Sequence, residues 1–438
     1  MTKAEIMAKV KAEGVTMVGF WFTDVLGQLK GITFPVQRLE RYLEEGTFFD
    51  GSSIDGFARI EESDLVLKPV LESFAIIPLQ ADVHKIARFM CRVFDAQGNP
   101  YHSDPRNVLA RNVDYAKSLG YDYFVGPELE YFYFKSKTAT EGLDKAGYFD
   151  QITMHEGTIL RERTVEALEK LGYSVERGHH EVAASQQEIN MKYSDALTMG
   201  DIVMTYKYVV KEIASSNGAY ATFMPKPIFS ENGSGMHVHQ SLWKDGINMF
   251  HEGNDEYGLS AIAKSYVAGV LKHMPEIVIV TNQYVNSYKR LVPGFEAPAY
   301  LAWGRRNRSA LIRIPLTRGE ANATRIELRC PDPAANPYLT FAVMLRAGLK
   351  GITENYKLSP ATEADIYEMS DAEMTKQGIT ALPGSLREAI ELAKGSSLLK
   401  EALGEEVHTK LIANKVHEWN EYRRQVHQYE IDKYLPIL

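Results

Sequence analysis

The fold and the chemistry of this chain are both indicated by the stretch Tyr121-Asp-Tyr-Phe-Val-Gly-Pro-Glu-Leu-Glu-Tyr-Phe-Tyr-Phe134. Its run of aromatic residues predicts a largely buried β-strand. Glu128 and Glu130 are two residues apart, so their side chains point to the same face of that strand. Two buried neighbouring carboxylates repel each other and lose hydration, which costs several kcal/mol per ion unless a cation compensates. A divalent metal is the natural candidate. The alternative is a strand with one wet face, on which both glutamates contact water.

Three further segments carry acidic and imidazole side chains and favour the metal interpretation. These side chains are Glu181 and Glu188 between residues 178 and 190, His237 and His239 on one strand face, and Glu327 in the alternating run Arg325-Ile-Glu-Leu-Arg329. Carboxylates with at most one imidazole suit hard cations such as Mg²⁺ or Mn²⁺ rather than zinc. The cluster therefore predicts a magnesium-type site built on the strands of a sheet.

Arginine is the second chemical signal in the sequence. One short region holds Arg290, Arg305, Arg306, Arg308, Arg313, Arg318, Arg325 and Arg329. Guanidinium groups match phosphates and carboxylates, and an acidic metal cluster beside an arginine cluster is what phosphoryl transfer needs. For Arg305, Arg306 and Arg318 we favour a solvated surface instead. The sequence contains no Walker or kinase glycine motif, which argues against the two common nucleotide-binding folds.

Composition limits the class of protein. The chain has 438 residues, 45% of them hydrophobic, and a formal charge of -8 from 49 basic and 57 acidic residues, which argues against general nucleic-acid binding. Two scattered cysteines, Cys91 and Cys330, form neither a disulfide framework nor a zinc motif and indicate a reducing compartment. The N-terminus lacks the apolar core of a signal peptide, and no apolar stretch is long enough to span a bilayer. We expect a cytoplasmic enzyme without nucleic-acid or membrane partners.

The pattern of the chain changes near residue 100, where we place a domain boundary. The first part is β-rich, with a hairpin that turns near Gly27 and a strand over Ile86–Phe94. Asp104 and Pro105 then begin a helix. The second part alternates strands that hold the charged motifs with helices, which we predict at 158–171, 195–216, 336–355 and 386–434.

Five long motifs resemble those of glutamine synthetases of the bacterial type I family, and the resemblance runs nearly end to end. They are Phe49-Asp-Gly-Ser-Ser-Ile-Asp-Gly-Phe57, Gly126-Pro-Glu-Leu-Glu130, Met224-Pro-Lys-Pro-Ile-Phe-Ser-Glu-Asn-Gly-Ser-Gly-Met-His-Val-His239, Asn307-Arg-Ser-Ala-Leu-Ile-Arg-Ile-Pro315 and Pro331-Asp-Pro-Ala-Ala-Asn-Pro-Tyr338. The resemblance implies an α+β fold with a small β-grasp-like N-terminal domain, 1–100, and a large catalytic domain, 101–438. In the catalytic domain, antiparallel strands would form an open funnel surrounded by helices.

The resemblance also implies an activity and an assembly. The activity is ATP-dependent ligation of ammonia to L-glutamate through γ-glutamyl phosphate, with two or more Mg²⁺ or Mn²⁺ ions per site and ATP as a substrate. The assembly is a homo-dodecamer of two hexameric rings whose neighbouring subunits share active sites. The alternatives are a γ-glutamyl-amine or polyamine ligase, a non-catalytic relative and a metal-dependent ATP phosphohydrolase. The intact Asp50 and Ser53 argue against the amine ligase.

The family's functional residues carry over to matching positions of this sequence. One metal ion would be held by Glu130, Glu181 and Glu188, and the other by Glu128, His237 and Glu327. The glutamate site falls on Asn232, Gly233, Arg290, Glu296 and Arg329, and the nucleotide and phosphate contacts fall on His239, Ser241, Arg308, Arg313 and Arg325. Ammonium would be bound by Asp50, Ser53 and Tyr148. The catalytic residues would be Asp50, Glu296, Arg313 and Arg329.

Departures from the family pattern indicate the regulatory subtype. Tyr367 does not lie in the sequence context of adenylylated members, and Arg59 follows the Asp-Gly-Ser-Ser loop as in the feedback-inhibited subtype. We therefore expect feedback inhibition with Arg59 as a regulatory residue, and regulatory proteins stay open as partners. From the residues alone, His239 is equally compatible with a core imidazole bonded to backbone, and Asp50 with an ordinary turn residue.

Overall fold

The computed structural model describes residues 1–52, 54, 64–78, 85–151, 155–295, 297–307, 309–317 and 319–438, without the side chain of Asp371. Four predicted functional residues lie outside the described residues: Ser53, Arg59, Glu296 and Arg308. None of the described helices is both long and apolar enough to cross a membrane.

The N-terminal part is a mixed sheet packed against two helices. Its elements are α1 (Lys3–Ala12), β1 (Met17–Thr23), β2 (Leu29–Pro35), α2 (Leu39–Glu45), β3 (Thr47–Asp50), β4 (Asp64–Pro69), β5 (Ala75–Ile77) and β6 (Ile86–Phe94). The sheet has the order β2-β1-β6-β4-β3, with β5 also paired to β6. The predicted strand over Ile86–Phe94 is confirmed, and it lies at the centre of this sheet.

The predicted hairpin is present and docks the N-terminal sheet onto the rest of the chain. β1 and β2 pair antiparallel, and Gly27 turns between them with a φ of 81°. A Cβ atom on Gly27 would lie 3.0 Å from Asn336 Cα, so the turn tolerates only glycine here. The side-chain amide of Asn336 donates to the carbonyl of Asp24 at 3.0 Å and thereby holds the turn in place.

The larger part contains a second sheet surrounded by helices. Its first half comprises α3 (Pro105–Ser118), β7 (Asp122–Phe134), α4 (Glu156–Lys170), β8 (Val175–His180), β9 (Gln186–Met191), β10 (Ser194–Asp195), α5 (Ala196–Ser216), β11 (Tyr220–Thr222), β12 (Met236–Lys244) and β13 (Ile247–Asn248). Its second half comprises α6 (Ala261–Thr281), α7 (Val285–Arg290), β14 (Tyr300–Gly304), β15 (Ala310–Arg313), β16 (Ile326–Leu328), α8 (Pro337–Thr353), α9 (Asp371–Gln377), α10 (Leu386–Lys394), α11 (Ser397–Leu403), α12 (Glu405–Tyr422) and α13 (Gln428–Tyr434). These elements confirm the α+β class.

The second sheet is open and mostly antiparallel. Its ten strands follow the order β14-β15-β16-β12-β7-β9-β8, with β10, β11 and β13 attached at the sides. One pair departs from the antiparallel expectation, because β14 and β15 run parallel. The strand predicted from the quoted stretch is β7, and it lies between β12 and β9. This position places the two predicted glutamates in the middle of the sheet.

The predicted helices are present, and the stretch 386–434 is helical as predicted. It is divided into four helices, α10 to α13. Gly404, with a φ of 83°, separates α11 from α12, since this backbone conformation cannot continue a helix. The helical core is tight at α6 and α8, where a Cβ atom on Gly351 would lie 2.1 Å from the carbonyl oxygen of Ser265.

Candidate active site

Three adjacent strands bring together the first group of possible metal ligands. Glu128 on β7 lies opposite His237 on β12, and β16 places Glu327 on the other side of β12, opposite His239. His237 Nδ1 lies 3.7 Å from a carboxylate oxygen of Glu128 and 3.7 Å from one of Glu327. The possible ligand atoms of Glu128, His237 and Glu327 all lie within 4.8 Å of one another. These three residues, which the strand argument placed in one cluster, thus lie together.

The protonation states of this group suit a divalent cation. Burial opposes the charge of Glu128, but hydrogen bonds from His237 and His239 hold its pKa well below the usual value. Burial and the charge of Arg329 lower the pKa of His237, which favours the neutral imidazole that can bind a metal. Glu327 Oε2 is buried and, within the described part of the chain, accepts no hydrogen bond of good geometry, although Arg313 Nε lies 2.8 Å away. Two carboxylates and a neutral imidazole therefore fit Mg²⁺ or Mn²⁺.

A second group lies where β8 ends and β9 begins. His179 Nε2 contacts a carboxylate oxygen of Glu181 at 2.8 Å and one of Glu188 at 3.9 Å, and these three side chains form the second possible ligand set. Burial and the charges of neighbouring glutamates raise the pKa of Glu188. Sequence reasoning missed His179. The two-residue spacing between His179 and Glu181 is the signal that could have found it, since the same spacing identified Glu128 and Glu130.

Glu130 lies beside the second group but has its own partners. It stands opposite Glu188 in the ladder between β7 and β9. Its Oε2 accepts hydrogen bonds from the backbone N–H of Gly235 at 2.8 Å and from the side-chain amide of Gln186 at 3.0 Å. Burial raises the pKa of Glu130 to about 8, and the charge of Glu181 adds to this shift. Its predicted role as a metal ligand beside Glu181 and Glu188 stays a prediction.

Two arginines offset the negative charge of Glu327 in the first group. Arg329 Nη1 donates to Glu327 at 2.6 Å, and Arg313 Nε lies 2.8 Å from the other oxygen of the same carboxylate. Although burial opposes the charge of Glu327, Arg329 and the other nearby cationic groups keep its pKa lowered. Two permanently charged groups beside one carboxylate create a region that attracts anionic oxygens. This arrangement fits the predicted phosphate-binding role of both arginines.

His239 joins the carboxylate cluster to Arg325. Arg325 Nε donates to His239 Nδ1 at 3.2 Å, and His239 Nε2 lies 3.1 Å from a carboxylate oxygen of Glu128. Because Nδ1 accepts, the ring carries its proton on Nε2, from which it can donate to Glu128. The ring nitrogens therefore contact side chains, and the alternative of a core imidazole bonded to backbone is wrong.

A cavity of about 320 Å³ adjoins this cluster. Glu128, His239, Ser241 and Arg325 line it together with the aromatic residues Phe124, Tyr193 and Trp243. Ser241 accepts a hydrogen bond from Trp243 Nε1 at 2.9 Å. These aromatic rings could stack against a nucleobase. The sequence interpretation did not single them out. Phe124 pairs with Ser241 in the ladder between β7 and β12, so Trp243, two residues farther along β12, lies diagonally from it on the same face. Their ring centroids are 5.8 Å apart, and only this pairing reveals their proximity.

The predicted glutamate site is closely packed around Gly233, Gly235 and Arg290. A Cβ atom on Gly233 would lie 2.4 Å from the carbonyl oxygen of Pro225, so the loop that holds Asn232 requires glycine next to it. Arg290 is buried and donates to the carbonyl groups of Cys330 and Arg329 at 2.7 and 3.2 Å. It thus supports the backbone that carries Arg329, a role that sequence reasoning did not include. Its predicted contact with glutamate stays a prediction.

Of the two described residues predicted to bind ammonium, Tyr148 lies beside the site and Asp50 lies on the N-terminal sheet. The ring of Tyr148 lies 5.7 Å from the ring of His179, which places it beside the second group. Asp50 is exposed at the end of β3, where its carboxylate accepts a hydrogen bond from the backbone N–H of Ser52 at 2.9 Å. Hydrogen bonding to Ser52 lowers the pKa of Asp50, so its charged form is present at neutral pH. No contact recorded among the described residues joins Asp50 to the carboxylate groups.

We predict that Glu327→Ala weakens Mn²⁺ binding by at least about a hundredfold and abolishes ATP-dependent phosphoryl transfer, since loss of an outer-sphere partner alone costs about 10- to 100-fold. The substitution also leaves Arg313 and Arg329 uncompensated beside the cation. Calorimetric titration of Mn²⁺ measures the first effect. Glu13→Ala, which removes an exposed carboxylate paired with Lys85, is the control and should bind normally. Turnover of the unaltered protein in rigorously metal-free buffer would contradict the assignment.

The comparison with known proteins agrees with this geometry. Profiles described as "Glutamine synthetase, beta-Grasp domain" and "Glutamine synthetase, catalytic domain" match residues 14–96 and 102–434. Curated glutamine synthetases are similar over nearly the full length, among them those of Clostridium saccharobutylicum (49% identity, 99% of this chain and 98% of the relative) and Thermus thermophilus (47%, 99% and 99%).

Solved structures show the same fold. A Plasmodium falciparum glutamine synthetase has a TM-score of 0.89 at 27% identity, with 99% of each chain covered. A structure described as a GmaS/ADP complex has a TM-score of 0.90 at 29% identity, with 98% of this chain and 99% of that chain covered. Together the two family matches extend over most of the chain. This chain belongs to the glutamine synthetase family.

Proposed function

We propose that this chain catalyses the ATP-dependent ligation of ammonia to L-glutamate, giving L-glutamine, ADP and phosphate. The observation that carries the proposal is the group of Glu128, His237 and Glu327, flanked by Arg313 and Arg329, in a member of the glutamine synthetase family. Curated relatives at 43–49% identity are named glutamine synthetase, which favours ammonia over another amine as the acceptor. An amine or polyamine ligase is therefore not favoured.

Activation of the glutamate side chain is the first chemical problem. A carboxylate is a poor electrophile, so the γ-carboxylate must first accept a phosphoryl group from ATP. Mg²⁺ or Mn²⁺, held by the first group and by Glu181 and Glu188 with His179 or Glu130, would neutralise phosphate oxygens and orient them. Arg313 and Arg329 lie beside Glu327 and would bind the oxygens on which negative charge accumulates.

Attack by ammonia is the second problem. Asp50 is charged at neutral pH, so it can attract ammonium and accept the proton that must leave before the nitrogen becomes nucleophilic. Tyr148 would line the same ammonium pocket beside His179. Glu296, which lies outside the described residues, belongs to the glycine- and proline-rich run Leu291-Val-Pro-Gly-Phe-Glu-Ala-Pro298. That run suits a lid which excludes water from γ-glutamyl phosphate.

A coupled assay tests the proposed reaction. With glutamate, ATP and Mg²⁺, we expect the purified protein to form glutamine and ADP in equal amounts when ammonium is supplied. Methylamine and putrescine at the same concentrations should give a much lower kcat/KM, because the pocket with Asp50 is suited to a small cation. A higher kcat/KM for either amine would contradict ammonia as the acceptor, and ADP release without an amide product would indicate a phosphohydrolase.

We also propose that the protein acts as a dodecamer of two hexameric rings with shared active sites. Asp50 is exposed on β3, and Phe48 on the same strand is 70% exposed. The C-terminal segment after α12 exposes the apolar side chains of Leu435, Ile437 and Leu438. Apolar side chains exposed together favour burial in an interface. These features support an assembly in which Asp50 completes the funnel of a neighbouring subunit.

Mixing two inactive variants tests the shared site. Asp50→Ala and Glu327→Ala should each be inactive, and reassembled mixtures in equal amounts should regain about one quarter of the activity, because that fraction of shared sites carries neither defect. Native mass spectrometry verifies that the oligomers are mixed. Unmixed variants treated in parallel are the control. Persistent inactivity in proven hetero-oligomers would place Asp50 and Glu327 of one site in the same chain.

We further propose that glutamine inhibits the enzyme through Arg59, and that the protein works in the cytoplasm. Arg59 lies outside the described residues, so this proposal depends on the family resemblance and on its position after the ammonium loop. The hydroxyl of Tyr367 donates to the carbonyl of Ala297, which supports a structural role for this tyrosine rather than modification. Both cysteines are free and buried, which supports a reducing compartment.

We expect Arg59→Ala to retain catalysis and to lose most of the inhibition by glutamine, since a guanidinium can hold a carboxylate-bearing ligand or a loop carbonyl. Glutamine titrations at fixed glutamate and ammonium measure the effect. Arg41→Ala is a matched control, because Arg41 forms an exposed pair with Glu45 in the same domain. Equal curves for both variants would mean that Arg59 merely pairs with Glu61 or Glu62 at the surface. An uninhibited parent protein would exclude the feedback-inhibited subtype.

A further inference from the structure

Asp144 is a buried carboxylate that lies outside every strand and helix of the described chain, and the proposed mechanism does not use it. Its side chain is 2% exposed. Its Oδ1 accepts hydrogen bonds from the backbone N–H of Ser185 at 2.8 Å, from His180 Nε2 at 2.9 Å and from the backbone N–H of Ala146 at 3.2 Å. The backbone N–H of Asp144 donates to Ser185 Oγ at 2.8 Å. A single buried carboxylate thus binds two separate segments.

The first of these segments carries Tyr148. It continues from Asp144 through Ala146 to Phe149, whose backbone N–H donates to the carbonyl of His180 at 3.1 Å. Phe149 has a φ of 61°, a left-handed conformation that a residue with a side chain adopts only under constraint. The rings of Tyr148 and Phe149 lie 4.0 Å apart and both contact His179. The position of Tyr148 therefore depends on how this segment is fixed to the end of β8.

The second segment is the corner between β8 and β9, which carries Glu181. His180 Nδ1 lies 2.6 Å from the carbonyl oxygen of Glu181, while its Nε2 contacts Asp144. Ser185, which donates to Asp144, has a φ of 61° and lies immediately before β9. The corner thus has two contacts with Asp144, one on each side of Glu181. Removal of the carboxylate would leave buried donors of both segments without an acceptor, which is a costly state.

We propose that Asp144 is a positioning residue that couples the ammonium pocket at Tyr148 to the metal-binding corner at Glu181. The inference rests on the proposed roles of Tyr148 and Glu181 and adds the group that sets their relative positions. Asp144 is not one of the proposed metal ligands or substrate-binding residues. It acts by fixing one segment against the other, so its loss should affect ammonium binding and metal binding together, while ATP binding at saturating Mn²⁺ is unchanged.

The test uses Asp144→Asn in the full-length protein. Asparagine keeps the volume but removes the negative charge, so Oδ1 accepts its three hydrogen bonds more weakly. We expect the KM for ammonium to rise by about tenfold and Mn²⁺ affinity at the second group to fall by about tenfold, the range known for outer-sphere partners of metal ligands. The KM for ATP, measured at saturating Mn²⁺, should stay the same.

Asp104→Asn is the matched control. Asp104 is equally buried and also accepts two backbone N–H groups, those of Val93 and Arg106, but it caps α3 away from the site. This variant should lower the thermal stability without a change in the KM for ammonium. If Asp144→Asn behaves in the same way, Asp144 is only structural and the inference is overturned.

A double-mutant cycle with Tyr148→Phe separates this inference from the proposed ammonium pocket. If the two residues are coupled, the double variant changes the KM for ammonium by less than the product of the two single changes. If they are independent, the two single changes multiply. Multiplicative effects would overturn the coupling. A Tyr148→Phe variant with normal ammonium KM would overturn both the pocket and the coupling, while glutamine formation by the parent protein would still support the overall reaction. If Asp144→Asn does not fold, His180→Phe keeps a ring of similar size but removes the Nε2 that contacts the Asp144 carboxylate. It should shift both quantities in the same direction, and unchanged values would overturn the inference.

Discussion

Mutual repulsion between buried carboxylates is the constraint on which the rest of this structure depends. Neighbouring strands carry Glu128, Glu130, Glu188 and Glu327, and each carboxylate is compensated differently. Two imidazoles oppose the charge of Glu128, two guanidinium groups oppose that of Glu327, and a backbone N–H with a side-chain amide binds Glu130. Burial and neighbouring charges raise the pKa of Glu188, so its ionised form depends on a cation. Such a set of compensations requires a fixed strand register, because a slip by one residue would turn these side chains to the other face.

The opposite face of β7 fixes that register. Leu129, Tyr131 and Tyr133 alternate with the glutamates and are fully or almost fully buried. Tyr131 and Tyr133 lie edge to face, and the hydroxyl of Tyr206 on α5 donates to the carbonyl of Leu129 at 3.3 Å. Aromatic burial on one face therefore stabilises the electrostatically unfavourable arrangement on the other. The carboxylates need no flexible loop to meet, and the chemistry is built on rigid strands.

Local spacing in the sequence was sufficient for much of this arrangement. Two-residue alternation predicted β7, β12 and β16 and a cluster of acidic and imidazole side chains on them, and Gly27 predicted the hairpin that docks the N-terminal sheet. The division of that cluster into two ligand groups came from the family resemblance. Contacts set by tertiary structure were not predictable in this way. The end of β8 brings His179 to Glu181 and Glu188, while Gly235 arrives from the loop before β12 to bind Glu130. Arg290 turns toward backbone carbonyl groups, and the parallel pairing of β14 with β15 depends on a crossover that periodicity does not encode. The break between α11 and α12 follows from Gly404, whose φ of 83° the sequence does not reveal.

The distribution of the proposed catalytic groups over the two parts of the chain has a consequence for control. The carboxylates and arginines lie on one sheet and are largely buried, so a single chain can organise them. Asp50 is exposed on the edge strand of the other sheet, and the recorded contacts of its side chain among the described residues are with Ser52. Under the proposed function, phosphoryl transfer needs only the first set, whereas attack by ammonia also needs Asp50. An isolated chain would then form γ-glutamyl phosphate without a proton acceptor and would lose it to water. If Asp50 comes from a neighbouring subunit, as in the proposed assembly, productive turnover would require assembly, because the reactive intermediate would be protected only where two subunits close one site.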